Sequence, residues 1–221
     1  MIEVKEIEKS YGNEKVLKGV SLSIRDGEFV SIMGKSGSGK STLLSILAGF
    51  LSYDGGDVLW DGESISEFSD DKKAILRSSD FGFVFQSFKL IPTLNVKDNL
   101  LLTATLGKKM NEGTLAYALE LAERLGISQM LNKYPDQLSG GQCQRVAIIR
   151  ALAYKPRVII LDEPTGALDS LMETKVEELL SEINKRDKVT VIQVTHSRKV
   201  AEYASRIITL KDGEIENEAV L

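Results

Sequence analysis

The chain has 221 residues, 43% hydrophobic and 27% charged, shares that belong to a folded globular protein and exclude disorder, collagen-like repetition or coiled coil as its main state. Its 28 Lys and Arg against 32 Asp and Glu give a net charge of −4, so the basicity of a protein that grips nucleic-acid phosphates is missing and no nucleic-acid partner is expected. Mean hydropathy is −0.07, and no apolar run approaches the roughly 18 residues that would read as a membrane-crossing helix.

In chain order, the acidic, alternating start MIEVKEIEKSYG is not a secretory signal. Residues 2–11, 16–24 and 27–33 read as three extended segments, with an Arg25-Asp26-Gly27 turn before the third. Residues 38–50 carry apolar side chains at helical spacing, and Gly49 sits where a helix would stop. GDVLWDG (56–62) and FGFVFQ (81–86) are strand-like, and periodicity rich in Leu and Ala predicts a helix over 111–132. The single cysteine, Cys143, permits no intrachain disulfide and points to a reducing compartment, so a cytosolic domain is expected. RVIILDE (157–163) is nearly continuous in apolar residues, as a parallel strand buried on both faces would be. A helix over 171–186 follows, with Val176, Leu179, Leu180 and Ile183 on one stripe. VTVIQVTH (189–196) is a second buried strand, and IITLKDGEI closes the chain as an edge hairpin. Strand–helix alternation implies an α/β core with an antiparallel patch at the N-terminus, and the middle, about 88–155, is mostly helical and separate.

Residues Gly34-Lys35-Ser36-Gly37-Ser38-Gly39-Lys40-Ser41 fit the phosphate-loop pattern G-x-x-x-x-G-K-[ST]. They follow the apolar strand FVSIM and open the STLLSILAG helix, which is the context the motif requires. Glycines let successive N–H groups turn inward as an anion nest, and the helix N-terminus adds partial positive charge. Lys40 can reach the β- and γ-phosphates of a nucleotide, and the Ser41 hydroxyl can ligate Mg²⁺.

Asp162 and Glu163 lie at the carboxyl end of a buried strand, where open α/β sheets bind ligands. Asp162 suits the Mg²⁺ side of the site, and Glu163 would polarise the water that attacks the γ-phosphate. His196, the only histidine, ends the neighbouring strand and is expected at the γ-phosphate. Gln86, ending FGFVFQ, could ligate Mg²⁺ or water and report γ-phosphate occupancy.

Leu138-Ser139-Gly140-Gly141-Gln142 precedes the helix QCQRVAIIRALAY. Ser139 is a good N-cap, and the glycines expose N–H groups, so this is a second anion site with no obvious use within one chain. With these residues in hand, the sequence resembles the nucleotide-binding subunit of ATP-binding-cassette (ABC) transporters over essentially its whole length. The matching motifs are the Walker A run Gly34–Ser41, the Q-loop Gln86, the signature at 138–142, the Walker B run RVIILDE, the D-loop Ala167-Leu168-Asp169 and the switch His196. The resemblance implies a P-loop NTPase core with a mainly parallel sheet and an N-terminal antiparallel β subdomain, together about 1–87 and 156–221, and an inserted α-helical lobe of about 88–155. It places Tyr11 as the aromatic stacked on adenine and adds Val16, Thr42 and Asp169 to the nucleotide-binding set. It also implies a head-to-tail homodimer with ATP between one chain's Walker A and the other's signature. Cys143 stands just past the signature and is read as a tolerated helix residue, not a reactive thiol.

FVFQSFKLIPTLNVKDNL followed by DEPTGALDS resembles, more narrowly, the bacterial lipoprotein-releasing, macrolide-export and bacitracin-resistance branch. That implies a separate integral membrane permease that exports or extracts an amphiphile, with this chain on the cytoplasmic face. A docking surface is expected around Gln86–Leu94, where Phe88, Leu90, Ile91 and Leu94 gather apolar surface next to Gln86. The alternative is an ABC ATPase of a cell-division or DNA-maintenance complex. DNA-maintenance relatives insert long coiled coils or zinc modules between Walker A and the signature, and this chain has neither.

Overall fold

The strands are of two kinds, half-buried alternating and fully buried, and they sort into two sheets. In a computed structural model covering residues 1–221, the chain runs β1 (Ile2–Tyr11), β2 (Glu14–Ile24), β3 (Phe29–Met33), α1 (Lys40–Leu47), β4 (Gly55–Trp60), β5 (Glu63–Ser64), α2 (Asp70–Ser79), β6 (Phe81–Val84) and α3 (Val96–Leu106). It continues through α4 (Glu112–Arg124), α5 (Gly140–Leu152), β7 (Val158–Asp162), α6 (Ser170–Asp187), β8 (Thr190–Val194), α7 (Arg198–Ala201), β9 (Arg206–Lys211) and β10 (Glu214–Val220). The first sheet is antiparallel in the order β2-β1-β4-β5. The second has the order β10-β9-β3-β8-β7-β6, parallel except for the β9–β10 hairpin at its edge. The third extended segment near the N-terminus therefore leaves the antiparallel patch and becomes the centre of the parallel sheet. No helix is long and apolar enough to cross a membrane.

The six-stranded sheet is the middle layer, because its strands alternate between two cores. Phe29, Ile159, Leu161 and Val191 point into a cluster of 27 buried residues shared with α3, α4, α5 and α6. Val30, Ile32, Ile160, Ile192 and Val194 point the other way, into a cluster of 25 shared with α1 and the antiparallel sheet. At about 25 cal/mol per Å² of apolar surface removed from water, this two-sided burial is what holds the layers together.

One local expectation is corrected, and one element is unexpected. The predicted helix over 111–132 stops at Arg124, because Gly126 takes a left-handed φ of 65°, and only a 3-10 turn at Ser128–Met130 follows. Helix α2 is not in the periodicity because it buries no residue; it is set by its ends, Ser69 Oγ accepting the Lys72 N–H at 3.2 Å, with Asp70 and Asp71 in the first turn.

Gly82 on β6 marks the tightest approach of α5 to the sheet. A Cβ there would lie 2.4 Å from the Ala151 carbonyl oxygen and 3.1 Å from Pro156 Cγ. Gly82→Ala should cost about 1–3 kcal/mol through forced backbone shifts, seen as a lower urea midpoint with an unchanged slope. An unchanged midpoint would show that this spacing is not fixed.

Candidate nucleotide-binding site

Four parallel strands end on one edge, and each delivers a predicted residue there. After β3 the chain wraps into the phosphate loop, whose shape admits only glycine at two points. A Cβ on Gly34 would lie 2.1 Å from the Leu210 carbonyl oxygen, and one on Gly39 would lie 2.7 Å from Leu17 Cδ2. Gly39 is the N-cap of α1 at φ 98° and supplies no side-chain cap, so the first-turn N–H groups face the loop's concavity. Lys40, 8% exposed, donates to the Gly34 and Lys35 carbonyls at 2.9 and 2.8 Å. Two of its three N–H donors are thus fixed by the loop, and the third remains for a phosphate. Ser38 Oγ is buried in the loop without a partner.

Parallel pairing of β7 with β8 sets Asp162 opposite Val194. Asp162 Oδ1 accepts from Ser41 Oγ at 3.1 Å, which joins the carboxylate to the start of α1. Burial holds the Asp162 carboxyl above its ordinary value; the Ser41 hydroxyl and Lys40 oppose that rise, and the Glu163 charge adds to it. Glu163 itself sits at φ 53°, left-handed for a non-glycine residue that also precedes Pro164. Its N–H donates to the Val194 carbonyl at 3.1 Å, and its own carbonyl accepts from Gly166. Strain of this kind persists only where the surroundings over-determine it. Glu163 Oε2 lies 2.7 Å from His196 Nδ1, with the carboxylate mostly buried and the imidazole 72% exposed.

Gln86 falls two residues beyond the end of β6. It joins Glu163, His196, Val16, Gly34, Ser36, Gly37, Gly39, Lys40, Ser41 and Thr42 around one cavity of about 410 Å³. Glu14, which sequence reasoning did not single out, also lines it. Lys35 and Ser38 belong to the loop but face a second concavity beside Arg198 and Lys211. Tyr11 is 51% exposed at the β1–β2 hairpin, packed in no core and outside the cavity lining.

The signature residues are elsewhere. Ser139 Oγ accepts the Gln142 N–H at 3.3 Å while Gln142 Oε1 accepts the Ser139 N–H at 2.8 Å, a capping box at the head of α5. Gly140 is exposed, and a Cβ on Gly141 would lie 2.9 Å from the Ala167 carbonyl oxygen. Asp169 caps α6, accepting the Met172 N–H at 2.9 Å. None of Ser139, Gly140, Gly141, Gln142 and Asp169 lines the phosphate-loop cavity. Burial raises the Cys143 thiol, so it is not a thiolate.

Two buried polar side chains that the sequence did not mark hold the segment after Gln86. Phe88 and Lys89 are consecutive left-handed residues at φ 62° and 48°. Arg150, on α5 and 6% exposed, donates to both of their carbonyls at 2.7 Å. Asn99 is fully buried; its Oδ1 accepts the Ile91 N–H at 2.8 Å, and its Nδ2 reaches the carbonyls of Ile91, Leu94 and Asn95. Phe88 and Leu90 pack against the larger core, which leaves Ile91 exposed.

Comparison with known proteins gives the same picture. The family model described as ABC transporter matches residues 17–166. The uncharacterized ABC transporter ATP-binding protein MJ1508 of Methanocaldococcus jannaschii is 46% identical over 219 residues, covering 97% of each chain. The bacitracin export ATP-binding protein BceA of Halalkalibacterium halodurans is 39% identical over 219 residues, 97% of this chain and 87% of that one. The dimeric structure of MJ0796, an ABC transporter cassette of Methanocaldococcus jannaschii, matches with a TM-score of 0.95 at 44% identity, covering 100% of this chain and 99% of that one. A second structure of MJ0796, in a dimeric post-hydrolysis state with ADP and phosphate, matches equally well, at a TM-score of 0.95.

Arg150→Lys replaces a two-pronged donor with a point charge and leaves one buried carbonyl unpaired. It should cost about 1–3 kcal/mol of stability and speed proteolytic cleavage between residues 86 and 95. Parental stability and cleavage in the variant would show that Arg150 does not hold the segment.

Proposed function

The chain belongs to the ABC transporter family as its ATP-binding, ATP-hydrolysing subunit, and from that premise we propose that two copies close head to tail on ATP and drive a separate membrane permease. The observation that carries this reading is the division of labour within one chain. The phosphate loop, Glu163, His196 and Gln86 face one cavity, while a second anion-ready helix end at Ser139–Gln142 stands outside it. A second copy arranged head to tail gives that helix end a phosphate to bind, and MJ0796 is a cassette whose dimer is known.

In this reading the loop N–H groups and Lys40 hold the β- and γ-phosphates, Thr42 and Val16 flank them, and Tyr11 covers the adenine. Glu163 takes the proton of the attacking water, held in line by the imidazole at its Oε2, while His196 and Gln86 meet the γ-phosphate. The site suits Mg²⁺ because its oxygen donors are hard: the Ser41 hydroxyl and the Asp162 carboxylate, hydrogen-bonded to each other, and the Gln86 amide. No three His, Cys, Asp or Glu side chains converge to hold a metal by themselves, which fits an ion shared with substrate phosphates. When bound, that ion would neutralise phosphate charge and oppose the burial-driven rise at Asp162. Residues 88–155 act as the helical lobe that carries the signature toward the other copy.

Likeness to a bacitracin export subunit supports an amphiphile as the transported or extracted molecule, with the chain on the cytoplasmic membrane face, bound through the permease. Of the four apolar side chains expected to dock, Phe88, Leu90 and Leu94 are half-buried and Ile91 is exposed, and the contact is shared with Phe50. That ring is 48% exposed, 5.1 Å from Phe83 and 5.6 Å from Phe85, with the Arg77 guanidinium 5.3 Å above it. It borders a groove of about 480 Å³ against the start of α2.

Glu163→Gln should lower turnover by about 10²–10⁴-fold while ATP binding persists, and the variant should elute as a dimer only with ATP. A variant that stays monomeric at all concentrations with ATP overturns the head-to-tail reading. Phe50→Asp should keep basal ATPase activity and lose co-purification with membranes. Full membrane recovery of this variant would place the docking surface elsewhere.

A further inference from the structure

Glu177 is a carboxylic acid that the proposed chemistry does not use, and it is completely buried on α6. Neither of its carboxyl oxygens has a hydrogen-bond partner. The side chain it meets is Gln193 on β8, also completely buried. Gln193 spends its Nε2 on the Ser31 hydroxyl at 2.9 Å and the Val200 carbonyl at 3.3 Å. Because a carbonyl can only accept, the Val200 contact fixes which end of the amide is nitrogen. That leaves Gln193 Oε1 as the remaining end, and it too is without a partner. Acceptors left without a donor in a dry core are unfavourable unless a proton is supplied to one of them.

We propose that Glu177 is a neutral acid whose O–H donates to Gln193 Oε1, and that it is a positioning residue coupling α6 to β8. The two elements it ties are the ones that bracket the candidate site. Helix α6 begins just after its cap Asp169, and β8 supplies the Val194 carbonyl that accepts the Glu163 N–H and leads two residues later to His196. The functional part of this inference rests on the roles proposed above for Glu163 and His196; the protonation itself does not.

The surroundings agree. Burial raises the carboxyl to about 8, the Glu173 charge adds to the rise, and contact with Gln193 opposes it. Glu173, one turn earlier on α6, is itself paired with Lys199 of α7 at 3.0 Å. From β8 the facing group is the neutral Gln193, which in turn holds the Ser31 hydroxyl of β3, and the one charge acting on Glu177 is that of Glu173. Since the folded-state value lies above the unfolded one, the folded chain holds the extra proton between them. Stability therefore falls as pH rises from about 4.5 to about 8 and levels off beyond.

Glu177→Gln tests this, because its amide supplies the same donor without a proton to lose. The parent, carrying carbon-13 glutamate, should show a protonated-carboxyl infrared band at about neutral pH that is missing in the variant. The melting temperature of E177Q should gain on the parent through the same pH window. E177Q should keep parental turnover near neutral pH, and relative to it the parent should lose about tenfold in kcat per pH unit above about 8 with KM for ATP unchanged. Glu177→Leu, which has no donor, should have low kcat at every pH. An absent band, or identical pH dependence of melting in parent and E177Q, overturns the protonation. A present band with identical kcat profiles overturns the positioning role. Loss of the Glu163 phenotype with the band intact would instead count against the catalytic reading.

Discussion

Everything at the candidate site depends on the parallel register of β3, β6, β7 and β8. Ile32 and Asp162 both stand opposite Val194, and Val84 stands opposite Leu161, so four strands stop within about one residue of the same line. A parallel strand end has free backbone and a loop that can go anywhere, which is why ligand sites collect there. A slip of one residue in β8 would invert the faces of Val191, Ile192 and Val194 and move His196 away from Glu163 at once. The two cores on either side of the sheet prevent that slip, so packing far from the cavity holds the 2.7 Å contact inside it.

The parts of the molecule that could be read from sequence are those whose chemistry is local. The phosphate loop is eight consecutive residues with a strand before it and a helix after it. Asp162, Glu163 and His196 are legible because a continuous apolar run has an obvious end. Helix α2 leaves no apolar period because it buries nothing, and the helical pattern of α4 runs on through Gly126 without recording its left-handed turn. Arg150 and Asn99 look like ordinary helix residues. The role of Arg150 appears only when carbonyls 61 and 62 residues away come within 3 Å, and that of Asn99 only when the chain before α3 folds back onto its amide, which a linear pattern does not report. Glu177 in an otherwise apolar stripe, beside Gln193 in an otherwise apolar strand, could have been noticed as a mismatch of polarity with period, but not as a pair.

Buried polar groups therefore divide the work with the apolar cores. Apolar contacts set where the layers lie and tolerate small adjustments. Arg150, Asn99 and Gln193 fix particular backbone atoms, because a buried carbonyl deprived of its donor is costly. These three lie on different elements; Arg150 holds backbone two and three residues after Gln86, and Gln193 holds the Val200 carbonyl four residues after His196.

The Arg150 fork has a thermodynamic consequence. One helix carries Ser139 at its head and Arg150 near its tail, and that tail holds the backbone two and three residues after Gln86. Any occupant that favours one position of Gln86 must favour the matching position of the Ser139 end, and an occupant at Ser139 must return the same free energy to Gln86, since coupling between two sites is reciprocal. In the head-to-tail arrangement proposed above, those occupants would be two different ATP molecules. Affinity for the first would then depend on whether the second is bound, with the helix between them as the carrier.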